Sequence, residues 1–358
     1  MTAISVIMPC YNQAYHLRRV LQAYENQSTA EPFELIAVND ASPDETKTIL
    51  ANFRTDRFQF RFFNQEKNQG PAAARNMGIQ NAQSPLIVFV GDDILPEKTF
   101  IQEHLEAHRR RPETEAAILG HVTWPADMPI NSLMKHIDGM GAEQFSYFYF
   151  KDQTEYDYRH LYTANISLKK ELLLRVDRWF DTEFPFAAYE DVELSYRLAQ
   201  KGMRIYYDAR PIGYHYHYHH IWSFSERQYR AGLMAIVLGK KHPVLLKTVL
   251  GKNWLPHLSF LGVKSIFRPA SASQAENIEK TMMLLTSEFE WAPDQVSDWL
   301  YLQLLQYFYY KGIVAGAFSR TFLHSQVLHS YMYFSLSSII NKLKIECLVR
   351  QVPFPSIK

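Results

Sequence analysis

Cysteine is almost absent from this chain of 358 residues: there are two, Cys10 and Cys347. Neither sits at CxxC spacing, which argues against a thiolate zinc site and a disulfide framework. Such sparing use fits a reducing cytoplasm. No charge of one sign prevails either. Lysine and arginine total 38, aspartate and glutamate 37, so a strongly basic nucleic-acid binder is excluded as a whole-chain reading and no nucleic acid is expected as partner. The one basic run, Arg109-Arg110-Arg111, suits a solvated helix end. Long apolar runs are missing as well: the longest, residues 231–238, falls far short of the ~20 residues that span a bilayer. The opening MTAISVIMPCYN has no basic n-region and no cleavage site, and reads as a first strand rather than a signal peptide. The expected setting is the cytoplasm, with peripheral contact at the inner membrane face left open.

What is present is an alternation of strand and helix signals. Residues 4–8 form a short β-rich run. In 14–24, Leu17, Val20, Leu21 and Tyr24 share one helical face. Strands are expected at 33–38 and 58–63. Ser42 can cap the helix that carries Ile49, Leu50 and Phe53. A helix over 70–82 opens on Gly-Pro, with Pro71 suited to the first turn. The run 85–90 is apolar almost throughout, as in a strand buried on both faces. This order predicts right-handed βαβ crossovers, an α/β fold and a mostly parallel sheet. Ligands then bind beyond the carboxyl ends of the strands, which singles out the loops at 9–12, 39–42 and 91–96. After about Ser225 the pattern becomes helix-rich, with apolar stretches at 282–285 and 299–310 and a capping box at Ser273 and Glu276. The expected division is a catalytic domain over 1–225 and a helical extension over 226–358.

Three groups of residues carry chemistry. Asp92 and Asp93 end a buried strand, where adjacent acids repel unless a cation or a helix N-terminus compensates. A divalent metal with substrate phosphate does this, and so does simple capping of a helix beginning near Pro96. Glu190 and Asp191 open a helix, where acids also offset the dipole, and Glu193 with Arg197 forms an i,i+4 pair. In the run from Tyr214 to His220, strand alternation turns His215, His217 and His219 to one face. Three imidazoles there could bind a transition metal, or simply line a half-exposed strand end.

Taken in order, SVIMPCYN from Ser5, VNDASPD from Val38, NQG from Asn68 leading to ARNMG from Ala74, GDD from Gly91, TANIS from Thr163, Phe180-Asp181 and Glu190-Asp191 resemble glycosyltransferase family 2 of the GT-A fold. The resemblance covers roughly residues 1–225. It implies a Rossmann-like nucleotide-diphospho-sugar transferase, inverting, with a divalent metal (Mn or Mg). The implied partners are a nucleotide-sugar donor, with UDP favoured, and a glycan or lipid-linked acceptor. Pro9, Tyr11 and Asp40 would surround the base and ribose, and Arg75 would lie at the diphosphate, a guanidinium being suited to phosphate. A surface salt bridge is the plainer role for Arg75. Asp92 would approach the donor ribose or sugar, and Asp93 would be the metal ligand, joined by His217 or His219. Asp191 would be the general base, with Glu190 and Asn165 orienting acceptor or base. One departure stands out: the family's Asp-x-Asp begins here with Gly91, which weakens the metal site and keeps open a non-catalytic nucleotide-sugar-binding protein. No Gly-x-Gly-x-x-Gly comes after the first strand, against a dehydrogenase, and Pro9-Cys10-Tyr11-Asn12 is not the glycine-rich basic loop of a nucleotidyltransferase.

Overall fold

The computed structural model describes residues 2–139, 144–145, 147–250, 271–288, 295–317, 329, 332, 336–342 and 344. Of the two cysteines, Cys10 is buried on the first strand and Cys347 lies outside the described residues. Two compact units share the chain: residues 1–129 with 149–217, and residues 130–148 with 218–358. The second unit thus claims an excursion from within the first as well as the chain beyond His217.

The first unit is built on a nine-stranded sheet. Strands β1 (Ile4–Cys10), β2 (Phe33–Asn39), β3 (Gln59–Asn64) and β4 (Leu86–Val90) lie in the order β3-β2-β1-β4, all parallel. Beyond β4 come β8 (Asn165–Lys169), β6 (Ala116–Thr123), β9 (Arg204–His215) and β5 (Ile94–Pro96), with β7 (Glu155–Tyr156) also on β9. β8, β5 and β7 run against their neighbours. Six of the nine strands therefore point one way, and the fold is α/β with a mostly parallel sheet. β1, β2 and β4 are buried nearly throughout because helices cover both faces.

On one face α1 (Ala14–Glu25), α2 (Thr46–Asn52) and α4 (Phe100–Arg110) bury the predicted stripe Leu17, Val20, Leu21 and Tyr24 against Ile4, Val6 and Leu35, together with Ile49, Leu50, Phe100 and Ile101. On the other face lies α3 (Pro71–Asn81). It approaches closely: a Cβ on Gly78 would collide with the side chain of Ile7. Pro71 does occupy the first turn, after Gly70 in a left-handed conformation (φ 85°). The start of α2 differs from expectation. Asp44, not Ser42, receives the Thr46 N–H at 3.0 Å, because Ser42 is turned to Asn39 and Asn12.

The second unit contains helices Ile221–Lys241, Ala272–Glu288 and Gln295–Ala317. Its core joins Phe224, Met282, Leu300, Tyr301, Leu304 and Leu305. The first and third of these helices touch backbone to backbone, since a Cβ on Gly232 or Gly312 would run into the carbonyl of Tyr309 or Tyr229. The capping box of helix Ala272–Glu288 lies two residues before the predicted one. Ser271 and Gln274 bond reciprocally at 3.2 and 2.9 Å, leaving Ser273 inside the first turn. No helix among the described residues is long and apolar enough to cross a membrane.

Within the first unit, His104 on α4 is wholly buried against β8. Burial pushes its pKa down to about 4, so the folded state holds the ring neutral. Below the ordinary value of 6.5 the unfolded chain takes up a proton that the folded chain refuses, and stability falls until pH 4 is passed. Urea unfolding at pH 7 and pH 5 should show a loss from this group of about 2 kcal/mol. In His104→Gln that share of the pH dependence should vanish.

Candidate active site

The loops that leave β1, β2 and β4 are tied to one another. Asp40 N–H donates to the carbonyl of Cys10 at 2.9 Å, and Asn12 N–H to Ser42 Oγ at 3.1 Å. Tyr11 N–H donates to Asp92 Oδ2 at 2.9 Å. Asp40 then reaches forward: its two carboxylate oxygens accept the N–H groups of Gln69 and Gly70, each at 2.8 Å, and so hold the loop that enters α3. Asn12 (φ 57°), Ala41 (φ 54°) and Tyr189 (φ 68°) all adopt left-handed backbone, the first two at these strand ends and the third at the start of helix Glu190–Ala199. Side-chain-bearing residues take that conformation at a cost, and such residues concentrate at functional sites.

These placements set the environment of each expected residue. Pro9 lies on β1 opposite Val38, and Tyr11, two residues on, is 48% exposed. Asp40 is buried, and burial raises its pKa against the pull of its two backbone donors. Asp92 is buried too, and burial together with the charge of Asp93 pushes it well above the usual carboxylate range. Asp93 moves the opposite way. Burial would raise it, but His215 and His217 outweigh that and hold it well below its ordinary value. Their ring nitrogens, His215 Nε2 and His217 Nδ1, both stand 3.3 Å from Asp93 Oδ2. The three side chains offer ligand atoms all within 4.8 Å of one another. At the Gly91 departure, a Cβ would lie 2.7 Å from Asp93 Oδ1, so an added side chain would displace that carboxylate.

The histidine alternation is only partly realised. β9 ends at His215, whose ring lies flat on Trp124 at 5.4 Å. Tyr216 N–H bonds the backbone carbonyl of Asp93 at 2.8 Å, and this returns His217 to the same carboxylate. His219 is past the strand and in the second unit, where its ring packs on Phe224 and its carbonyl accepts from Asn131. His215 therefore stands in the place considered for His219. A further residue, His16 on α1, joins the neighbourhood without any sequence signal. It packs on the Tyr216 ring at 5.3 Å, and burial lowers its pKa while Asp93 pulls it up. No spacing rule connects residue 16 with residue 216.

Arg75 is neither at the surface nor free. It is buried, and its Nη1 pairs with Glu190 Oε1 at 2.8 Å across 115 residues of sequence. Arg75 Nε and Glu190 Oε2 are both buried without a hydrogen-bond partner. Asp191 follows in the first turn of its helix, its Oδ1 accepting the Val192 N–H at 2.8 Å. Burial and the neighbouring Glu190 charge raise its pKa to about 7, with Arg75 opposing. A carboxyl poised there can take or give a proton at neutral pH. On the same helix Glu193 and Arg197 make the predicted pair at 2.7 Å. Arg197 also donates to the carbonyls of Arg178 and Trp179, fastening the segment that leads into the helix. Asn165, expected to orient acceptor or base, is wholly buried on β8 and bonded to α4, β6 and β9.

Residues 5–174 match the family model for glycosyl transferase family 2. Validoxylamine A glucosyltransferase of Streptomyces hygroscopicus subsp. jinggangensis is 26% identical over 280 residues, covering 68% of this chain and 62% of the relative. The uncharacterized glycosyltransferase YfnE of Bacillus subtilis is 34% identical over 104 residues, 29% of this chain and 26% of YfnE. The chain thus spans less than two thirds of the length of these curated relatives. Among solved structures, S. aureus TarS 1–349 in complex with UDP aligns with a TM-score of 0.49 at 16% identity, covering 90% of this chain and 93% of that one.

Removing one partner of the buried Arg75–Glu190 pair strands the other charge. Arg75→Leu should therefore lower unfolding stability by about 3–5 kcal/mol, and the double variant Arg75→Leu/Glu190→Leu should recover most of the loss in urea titrations. Residues 5–174, just under half of the chain, are thus similar to glycosyl transferase family 2 and lie within an α/β fold with a mostly parallel sheet.

Proposed function

We propose that the protein is an inverting glycosyltransferase that moves a sugar from a nucleotide-sugar, with UDP the favoured nucleotide, to a hydroxyl of a glycan or lipid-linked acceptor. The observation that carries the reading is the meeting of Asp93, His215 and His217 at the ends of β4 and β9. It lies beside loops that Asp40 and Asp92 tie together, as a diphosphate site at the carboxyl edge of a sheet requires. The relatives named as glycosyltransferases support it.

Asp93, His215 and His217 would hold a divalent metal. One carboxylate with two imidazoles suits Mn²⁺ better than Mg²⁺, which favours oxygen ligands. When bound, such an ion neutralises charge on the leaving diphosphate. The exposed Tyr11 ring and Pro9 offer a platform for the base. Asp40, with both oxygens already accepting backbone N–H groups, serves the site first by shaping the loop before α3. Its remaining lone pairs can accept the uracil imide hydrogen, and this is the ground for favouring UDP. Asp92 holds the Tyr11 backbone and faces the ribose or sugar. Arg75, held by Glu190, would lend its positive charge to the diphosphate.

In the reaction the acceptor oxygen attacks the anomeric carbon while the bond from that carbon to the diphosphate oxygen breaks. The hydroxyl proton passes to Asp191, and configuration inverts because attack and departure occur on opposite faces. Asp191 must be ionised to accept it. With a pKa of about 7, kcat/KM should rise with pH through neutrality and level off above it.

Two measurements decide the proposal. Calorimetric titration of UDP, GDP and dTDP with and without Mn²⁺ should show metal-dependent UDP binding that is lost in Asp93→Ala. Failure of wild type to bind any nucleotide would sink the donor-site reading. Asp191→Asn should keep that binding and lose about 10²–10⁴-fold in turnover of a UDP-sugar. Full activity in the variant would remove Asp191 from the base role.

A further inference from the structure

The cluster of Asp93, His215 and His217 depends on a register that the β6–β9 ladder does not supply by itself. β9 pairs with β6 in two stretches, Arg204–Tyr207 beside 116–119 and then 212–214 beside 121–123. Between Leu119 and His121, β6 advances two residues, whereas β9 advances five, from Tyr207 to Ile212. Three extra residues are therefore accommodated in β9. Past this bulge β9 pairs with β5, and there His215 stands opposite Ile94, next to Asp93. A slip of one residue would bring Tyr214 or Tyr216 to that place and turn His215 to the other face.

The side chain of Asn165 spans the bulge. Its Nδ2 donates to the carbonyl of His121 on β6 at 2.9 Å and to the carbonyl of Pro211 on β9 at 2.8 Å. These two carbonyls flank the irregularity on its two strands. Gly120 lies between them with no room for a side chain: a Cβ there would sit 2.6 Å from both Asn165 Oδ1 and the Pro211 carbonyl.

The amide cannot turn over. With both Nδ2 hydrogens given to carbonyls, Oδ1 accepts, so His104 Nε2 donates to it at 2.9 Å. His104 Nδ1 then accepts from Ser167 Oγ at 2.8 Å, and Ser167 accepts from His108 Nε2 at 2.9 Å. His108 Nδ1 is left to accept from Lys169 Nζ at 3.3 Å, whose other hydrogens go to the carbonyls of Arg111 and Glu113. Each bond direction is fixed by the one before it. A flipped amide would set Oδ1 against two carbonyl oxygens and reverse the whole chain onto an ammonium that can only donate.

We propose that Asn165 is the positioning residue of the metal-binding cluster: its amide fixes the β9 bulge in the one register that turns His215 and His217 onto Asp93. The inference rests on the metal-site reading of those three residues. Asn165 touches neither donor nor acceptor and acts through the strand.

The test uses the full chain and Mn²⁺ alone as probe, with affinity from calorimetry and the number of coordinated imidazoles from pulsed EPR of the bound ion. Asn165→Ala should fold, bind Mn²⁺ roughly 10- to 100-fold more weakly, and show fewer imidazole nitrogens than wild type. His104→Ala cuts the same network on the far side of the amide and leaves both carbonyl bonds in place. It should lose stability yet keep Mn²⁺ affinity within about a factor of two, with all imidazole couplings present. If Asn165→Ala does not fold, Asn165→Ser, whose single hydroxyl hydrogen can serve at most one of the two carbonyls, takes its place with the same expectations. Unchanged affinity and couplings in the folded Asn165 variant overturn the inference, as does an equal loss in His104→Ala. Wild type that binds no Mn²⁺ overturns the metal-site reading and this inference together, an outcome distinct from wild-type binding with an indifferent Asn165 variant.

Discussion

Carboxylates crowded at one edge of a sheet are costly to bury, and much of the first unit's architecture answers that cost. Asp40, Asp92 and Glu190 are all buried, with Asp93 close behind them. Isolated, such charges would be neutralised rather than kept. Each has a different remedy. Asp40 is held by two backbone N–H groups. Glu190 is held by a guanidinium from a distant helix. Asp93 is held by two imidazoles. Asp92 has a single backbone donor and Asp93 as a neighbour, and its pKa climbs.

The same remedies set the acids apart electrostatically. Adjacent residues Asp92 and Asp93 are pushed in opposite directions, one toward the protonated form and one toward the ion. Glu190 is paired with Arg75, and Asp191, beside that charge, is lifted to about 7. Pairs of carboxylates whose environments drive them apart are the usual means of separating an acid–base group from a binding group. Here the separation comes from partners far away in sequence, so the environment belongs to the fold rather than to the local motif.

Local periodicity made most of the first hundred residues legible. The apolar stripe of α1, the buried run of β4 and the Gly-Pro start of α3 lie where spacing and turn chemistry place them. Side-chain caps were harder to read. Asp44 and Ser271 perform the tasks expected of Ser42 and Ser273, because several hydroxyl and carboxyl groups stand within a turn of each helix start and the final packing selects one. The histidine run shows the limit of a period-two argument. It holds for His215 while the strand lasts, and fails at His219 because the strand has ended.

By itself the sequence determined the α/β alternation, the three strand-end loops and the residue types they present, since each depends on neighbours within about four positions. The tertiary structure alone decided which of those residues meet. The pairing of Arg75 with Glu190, the choice of His215 over His219, and the lodging of Asn165 in a bulge all join segments tens of residues apart. Such contacts are set by strand order and register, which no local pattern encodes.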